Sequence, residues 1–324
     1  MKAIVQDKYG SPGVLKLADI DKPNIGADEV LLRVHAAGVG PDVWHLMAGM
    51  PYLVRVMGMG FSKPKIRVRG WDVSGSVEAV GEKVTEFKPG DEVFGTCKGA
   101  LAEFACAKEK NLVRKPANLT FEQAAALSVS GCTALQALRD TAKVKAGQKV
   151  LVVGAAGGVG SLSVQIAKEF GAEVTGVCST TKIELVRSIG ARDVIDYTRD
   201  DFADGEHFYD VIIDTAGRRS LSHFRRALTR QGILVIVGGD GGGSWFGGFQ
   251  RQMFGAPLMS LRKGPKLTGV SAKIRKADLQ FLAELAESGK VTPVIDSTYP
   301  LSQAPEAVRR LAKGHAGGKI VVTV

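Results

Sequence analysis

A chain of 324 residues, 45% hydrophobic and 23% charged, is long enough for two domains with separate cores, and that balance excludes a disordered polypeptide. The net charge of +10 raises nucleic acid and acidic membranes as partners. The basic residues are scattered, with no run of five and no aromatic interleaving, so neither partner is expected and the positive surface is assigned to attracting an anionic cofactor.

In chain order, Met1-Lys-Ala-Ile-Val-Gln-Asp reads as a strand and lacks the apolar core and cleavage site of a signal peptide, which points to a cytoplasmic protein. No stretch approaches about eighteen uninterrupted apolar residues, the length a membrane helix needs. Up to about residue 120, short β-rich segments such as Val30–His35 and Val73–Val80 are punctuated by Gly and Pro, the texture of an irregular β-barrel. The cysteines, Cys97, Cys106, Cys132 and Cys178, are widely spaced without a CxxC pair, which argues against a disulfide framework and a cysteine-rich structural zinc lobe.

The most informative stretch is Val150-Leu-Val-Val-Gly154-Ala-Ala-Gly157-Gly158-Val159-Gly160, which opens into Ser161–Phe170. It reads as a strand buried on both faces, a glycine turn, and a helix with Leu162, Ile166 and Phe170 on one side. Ala155-x-Gly157-x-x-Gly160 is the dinucleotide fingerprint with alanine at its first position, and it offers N–H groups and a positive helix end to a pyrophosphate. A second strand, Glu173–Cys178, follows. Where an NAD site places a carboxylate for the ribose, this chain has Cys178-Ser179-Thr180-Thr181-Lys182. A carboxylate there would repel a 2′-phosphate by about 4 kcal/mol at about 4 Å and an effective dielectric of about 20, whereas hydroxyls and a lysine hold it. NADPH is therefore the expected cofactor, with Lys182 as a plain helix-surface lysine the alternative.

Tyr209–Asp214 and Gly232–Gly238 read as further buried strands, so this half predicts a doubly wound parallel sheet. The segment Asp240–Lys266, with its glycine tract, Trp245, Phe246, Phe249, Met253, Phe254 and Met259, predicts a lid, a subunit contact or a short core helix. A helix over Ser302–Lys313 and a strand over Gly318–Val324 return to the first domain, which makes the nucleotide domain an insertion.

Ala36-Ala-Gly-Val-Gly40-Pro-Asp, Gly70-Trp-Asp72-Val-Ser-Gly75, Lys88-Pro-Gly-Asp91, Ser130-Gly-Cys-Thr133, the glycine turn and Gly317-Gly-Lys319 occur in this order. Over essentially its whole length the chain resembles the medium-chain dehydrogenase/reductase superfamily, in the zinc-independent quinone oxidoreductase branch. The resemblance implies an α/β fold: a GroES-like irregular β-barrel domain (residues 1–122 and 295–324) plus a doubly wound parallel-sheet Rossmann domain that binds NADPH (residues 123–294). It assigns the pyrophosphate to Gly157, Gly158 and Val159, and the 2′-phosphate to Ser179, Lys182 and Tyr197, with Tyr197 as a packed aromatic the alternative. Thr133 and Lys319 approach the nicotinamide half, and Gly238 and Val270 give backbone contacts. Zinc-dependent relatives carry Cys at Gly40 and Gly-His-Glu at Gly70-Trp71-Asp72, so no metal is expected; His35 and His45 nearby make no ligand set. Quinone reductases of the branch usually have Asn-Pro where this chain has Gly40-Pro41, which weakens the transfer of substrate preference.

Without zinc, an acceptor that spreads its own charge is expected, a small apolar quinone or an enone. Tyr52, on the loop that lines the substrate cleft in relatives, is the candidate proton donor, or else a wall of that cleft; Asp42 and His45 are weaker candidates. The readings are an NADPH-dependent quinone reductase, a reductase of enone or enoyl double bonds, and an NADPH-binding regulatory protein with little turnover. Pairing through an edge strand at Lys266–Val270 predicts a homodimer, as in relatives.

Overall fold

The computed structural model describes residues 1–238, 245, 248, 255–260 and 264–324. They fall into two compact units, residues 1–132 with 274–324, and residues 133–273. The sequence predicts borders at 122/123 and 294/295.

The first unit opens with a two-stranded ribbon, β1 (Lys2–Val5) against β2 (Lys16–Asp19). The long strand β3 (Glu29–Val39) follows, then α1 (Pro41–Ala48), which begins on a proline and ends on Gly49 in the left-handed conformation (φ 61°). A short helix, α2 (Tyr52–Val54), runs on into a π turn over Arg55–Met59. Strands β4 (Asp72–Val80), β5 (Glu92–Thr96), β6 (Phe104–Lys108) and β7 (Leu112–Arg114) lead to α3 (Phe121–Leu135), within which the border between the units falls. β3 is buried along most of its length because β4 and β6 pair with it, together with the last strand of the chain. That position explains its nearly continuous apolar run, Val30-Leu-Leu.

In the second unit, β8 (Lys149–Val153), α4 (Gly158–Glu169), β9 (Glu173–Cys178), α5 (Ile183–Ser188), β10 (Asp193–Asp196), β11 (Tyr209–Asp214), α6 (Leu221–Ala227), β12 (Leu228–Ile236), α7 (Ala256–Ser260) and β13 (Lys266–Gly269) alternate. All six strands are parallel, in the order β10-β9-β8-β11-β12-β13, so the doubly wound sheet is present. Leu151, Ile212 and Leu234 pack on Phe224 of α6, which stacks on Phe202 at 5.5 Å. β12 starts four residues before the apolar run that marked it, on a stretch with exposed Arg230 and Gln231 and an irregular register against β11. The glycine tract expected to form a lid or contact lies outside the described residues, apart from Trp245 and Gly248. Further on, α7 is described, and its Met259 packs on the sheet core.

The chain then re-enters the first unit through α8 (Lys276–Glu287), β14 (Ile295–Pro300), α9 (Ala304–Ala312) and β15 (Lys319–Thr323). Asn118 donates to the carbonyl of Ala286 at 2.8 Å and Gly131 faces Leu282, which accounts for the place of α8 in this unit. β15 inserts between β14 and β3, completing a seven-stranded sheet in the order β14-β15-β3-β4-β5-β7, with β6 on β3. Among the described residues no helix is long and apolar enough to cross a membrane.

Candidate active site

The glycine turn sits at the carboxyl end of β8, beside the point where the strand order reverses between β8 and β11, the crevice in which open parallel sheets take ligands. Gly154 (φ 81°) turns the chain, and Gly160 packs so closely on the Gly154 carbonyl that a Cβ would lie 2.1 Å from its oxygen. A Cβ on Gly157 would make only an ordinary contact, 3.4 Å from that oxygen. Gly157 caps α4, and the first N–H groups of the helix, those of Gly158, Val159 and Gly160, have no partner within the helix. Thr215, at the end of β11, braces the turn by donating its hydroxyl to the carbonyl of Val153 at 2.8 Å. Gly238, after β12, approaches the Thr215 carbonyl too closely for any side chain, and Val270 follows β13. The structure thus brings Gly157, Gly158, Val159, Gly238 and Val270 to one edge of one sheet, and these residues fit a dinucleotide.

Ser179, Lys182 and Tyr197 lie at the same edge, after β9 and β10. Ser179 and Lys182 are half-buried and Tyr197 is exposed, with its N–H on the Cys178 carbonyl at 3.1 Å. Sequence reasoning passed over Asp196, which is buried between them. Its carboxylate accepts the Thr180 hydroxyl at 2.5 Å, the Thr198 hydroxyl at 2.7 Å and the Thr198 N–H at 3.0 Å. The Thr180 bond first, then those from Thr198, hold Asp196 below the usual carboxylate range. Arg199 approaches it at 3.8 Å, so this charge is already countered within the cluster.

In the first unit, Lys319 at the start of β15 is not a solvated residue. Its ammonium lies 2.6 Å from Asp72 Oδ2 and 3.3 Å from Ser130 Oγ, with side-chain exposures of 6% for Lys319 and 2% for Asp72. The other oxygen of Asp72 accepts the Val129 N–H of α3 at 2.8 Å. Burial works against the Lys319 charge, but Asp72 and Asp42 outweigh it and hold the ammonium above its ordinary range. Asp42, in the first turn of α1, points at the same place. Burial, opposed by Lys319 and reinforced by Asp72, pushes its carboxyl up to about 6. Two glycines make the slot: a Cβ on Gly38 would lie 2.9 Å from Lys319 Cε, and one on Gly40 would lie 2.5 Å from Asp42 Oδ1 and 3.2 Å from Lys319 Nζ. Asp72 and Ser130 were passed over as site residues, although both stood inside motifs quoted above.

Tyr52 opens α2, about one-third exposed, with the Arg55 guanidinium 4.9 Å from its ring centre. Thr133 is the first residue of the second unit and half-buried. The residues around Lys319 do not fit a zinc ion. Gly40 and Trp71 carry no metal donor, a cysteine at Gly40 has no room beside Asp42, and Asp72 already holds an ammonium. Among the described residues no group of three or more His, Cys, Asp or Glu side chains is placed to hold a metal.

Among the described residues, a parallel six-stranded sheet with a glycine cradle at its reversal point defines the second unit as one of the class that binds dinucleotides. Residues 26–117 match the alcohol dehydrogenase GroES-like domain, and residues 189–322 match the zinc-binding dehydrogenase family. The chain is 34% identical over 340 residues to a chloroplast envelope quinone oxidoreductase homolog of Arabidopsis thaliana, covering 99% of this chain and 98% of that one. The quinone oxidoreductase of Coxiella burnetii superposes with a TM-score of 0.87 at 30% identity, covering 100% and 99% of the two chains. The CurK enoyl reductase gives 0.85 at 25% identity, with 99% and 98% covered. The chain belongs to the quinone oxidoreductase branch of the medium-chain dehydrogenase/reductase superfamily and is an oxidoreductase that uses a nicotinamide cofactor.

Because the fold raises the Asp42 pKa, ionising this group opposes folding: the stability it contributes is complete below the unfolded value of about 4 and is lost as pH rises through about 6. Asp42→Asn is expected to leave stability unchanged at about pH 4 and to raise it by about 1–2 kcal/mol at about pH 8, allowing for partial exposure of the group. Urea denaturation at the two pH values reads the difference, and an equal effect at both would refute the assignment.

Proposed function

We propose that this protein is an NADPH-dependent, zinc-independent reductase that delivers hydride to a small apolar quinone, with the cytoplasm as its compartment. The observation that carries the reading is the Lys319 ammonium, seated on Asp72 beside Gly40 where no metal donor stands. A reduction run without a metal Lewis acid needs an acceptor that disperses the incoming charge over its own bonds. A quinone does this: it takes up one hydride and one proton and leaves as a hydroquinone.

NADPH, when bound, supplies the hydride. Gly157, Gly158 and Val159 receive its pyrophosphate, and Ser179, Lys182 and Tyr197 its 2′-phosphate. Thr133, Lys319, Gly238 and Val270 orient the nicotinamide half. The choice of NADPH over NADH is supported by the hydroxyl- and lysine-bearing run after β9, where the nearby carboxylate of Asp196 is already engaged by Thr180 and Thr198. Tyr52 gives the proton from its phenol and regains it from water. A second reading, reduction of an enone or enoyl double bond, uses the same residues and is supported by the similarity to an enoyl reductase. β13, at the end of the strand order, is proposed to pair with a second copy; a strictly monomeric mass in light scattering at high concentration would refute that pairing.

NADPH oxidation against a panel of quinones and enones tests the function. Quinones are expected to be reduced fastest, with NADPH preferred over NADH and no loss on chelation; in the same assay Tyr52→Phe should lower kcat about 100-fold. Chelator-sensitive turnover would overturn the zinc-free reading, and NADPH binding without turnover of any acceptor would leave only a regulatory role. Lys182→Ala is expected to raise the KM for NADPH about tenfold and leave that for NADH unchanged. Equal changes for both cofactors would remove Lys182 from the 2′-phosphate site.

A further inference from the structure

Between Asp42 and Asp72 the sequence contains no Asp or Glu, yet it carries Arg55, Lys63, Lys65, Arg67 and Arg69. The structure distributes these charges unequally. Arg69 is buried, Arg67 is bonded to Asp7 at 2.8 Å, and Arg55 donates to the Gly49 carbonyl at 2.8 Å while lying 4.4 Å over the ring of Tyr9. Lys63 and Lys65 are exposed, and neither is paired with a carboxylate among the described residues. The same stretch carries two large apolar side chains open to water, Val56 at 64% and Phe61 at 80% exposure.

The tip that presents Phe61 is a built turn. Gly60 has φ 109°, and a Cβ there would lie 2.1 Å from the Lys63 carbonyl oxygen. The Lys65 N–H donates to the Met59 carbonyl at 3.0 Å, and the Tyr9 hydroxyl lies 2.6 Å from the Gly60 carbonyl oxygen and 3.0 Å from that of Met59. These hydrogen bonds fix the backbone of the turn that carries the exposed Phe61, with Lys63 and Lys65 following it in the sequence. A single exposed Phe calls for no explanation. An outward Phe and Val within a long acid-free stretch, flanked by unpaired lysines, is the chemistry of an interfacial anchor for anionic lipid.

Although the scattered charges of the whole chain predict no membrane partner, we propose that the Val56–Lys65 segment docks the protein on the surface of an anionic bilayer, with Phe61 and Val56 entering the headgroup region and Lys63 and Lys65 on lipid phosphates. Charge decides against a second copy of this chain on this face, since a two-fold contact would bring the lysines of both copies into one acid-free patch. Resting on the quinone reading above, the docking places the segment that begins at Tyr52 against the phase in which an apolar quinone dissolves.

The full-length protein is sedimented with vesicles of phosphatidylcholine alone and of phosphatidylcholine mixed with phosphatidylglycerol. Binding is expected only to the mixed vesicles and should weaken with salt. Phe61→Ser, and separately Lys63→Glu with Lys65→Glu, should each lower the bound fraction about tenfold with the melting temperature unchanged. Phe61→Ser should also slow reduction of a long-chain quinone held in mixed vesicles while leaving that of a short, water-soluble quinone intact. No sedimentation of the wild type with mixed vesicles overturns the proposal, as does equal sedimentation of the variants. A dimer in light scattering that Phe61→Ser dissociates assigns the patch to self-association and overturns it too. Vesicle binding lost in the variants, with no quinone reduced in any form, supports the docking surface and refutes the quinone reading alone.

Discussion

The contact on which the first unit depends is the buried bond between Lys319 and Asp72. It joins β15, the last strand of the chain, to β4 and, through Val129 and Ser130, to α3. Taking two charges out of water costs several kcal/mol per ion, so such a pair adds little net stability, but removal of one partner leaves a bare buried charge and costs about 3–5 kcal/mol. What the pair supplies is specification. Gly38 and Gly40 have no side chains where the lysine stem and Asp42 occupy that volume, and Asp42 resists ionisation first because it is buried, against the pull of Lys319, and then because the Asp72 carboxylate stands near it. One buried lysine thus constrains both β3, at Gly38, and the entry to α1, at Gly40.

The second unit solves a different problem, the approach of a chain to an anion, and it uses backbone where the first uses side chains. Gly154, Gly160 and Gly238 each sit where a Cβ would strike a neighbour, whereas a Cβ on Gly157 would make only an ordinary contact. The first two pack the turn, Gly238 packs on Thr215 beside it, and Gly157 caps the helix. Asp196 shows how a carboxylate is kept at such an edge: three hydrogen bonds from Thr180 and Thr198 absorb its lone pairs and fix the residues on either side of Tyr197.

The parts of this architecture that were legible in the sequence are those whose causes are local. The strand before the glycine turn, the spacing of Leu162, Ile166 and Phe170, and the return of the final strand all follow from apolar runs a few residues long, and the structure has them. β12 escaped in part because Thr229, Arg230 and Gln231 are exposed or half-exposed strand residues that break the apolar run, leaving only its buried half visible. The charged cluster was not legible for a deeper reason. Asp72 and Lys319 belong to separate motifs far apart in the chain, and only the antiparallel seating of β15 on β3, with β4 on the other side, brings them together. Ser130 was noticed only for its neighbour Thr133, and Asp42 was weighed as a lone carboxylate because nothing local signals the lysine that faces it.

That cluster also bears on which acceptor suits the site. A catalytic metal presents net charge and an open coordination position, so it can take an alkoxide oxygen directly. The Lys319 ammonium has its counter-ion 2.6 Å away. A lone unit charge at about 4 Å acts with about 4 kcal/mol at an effective dielectric of about 20, but paired this closely it acts as a dipole whose field falls off faster with distance. Such a group orients polar atoms that come within hydrogen-bond reach and does little for a charge developing further off. A ketone localises that charge on one oxygen and needs the stronger partner; a quinone carries it across a conjugated ring and does not. An internally neutralised lysine at this place is thus better suited to the proposed acceptor than to a ketone on electrostatic grounds.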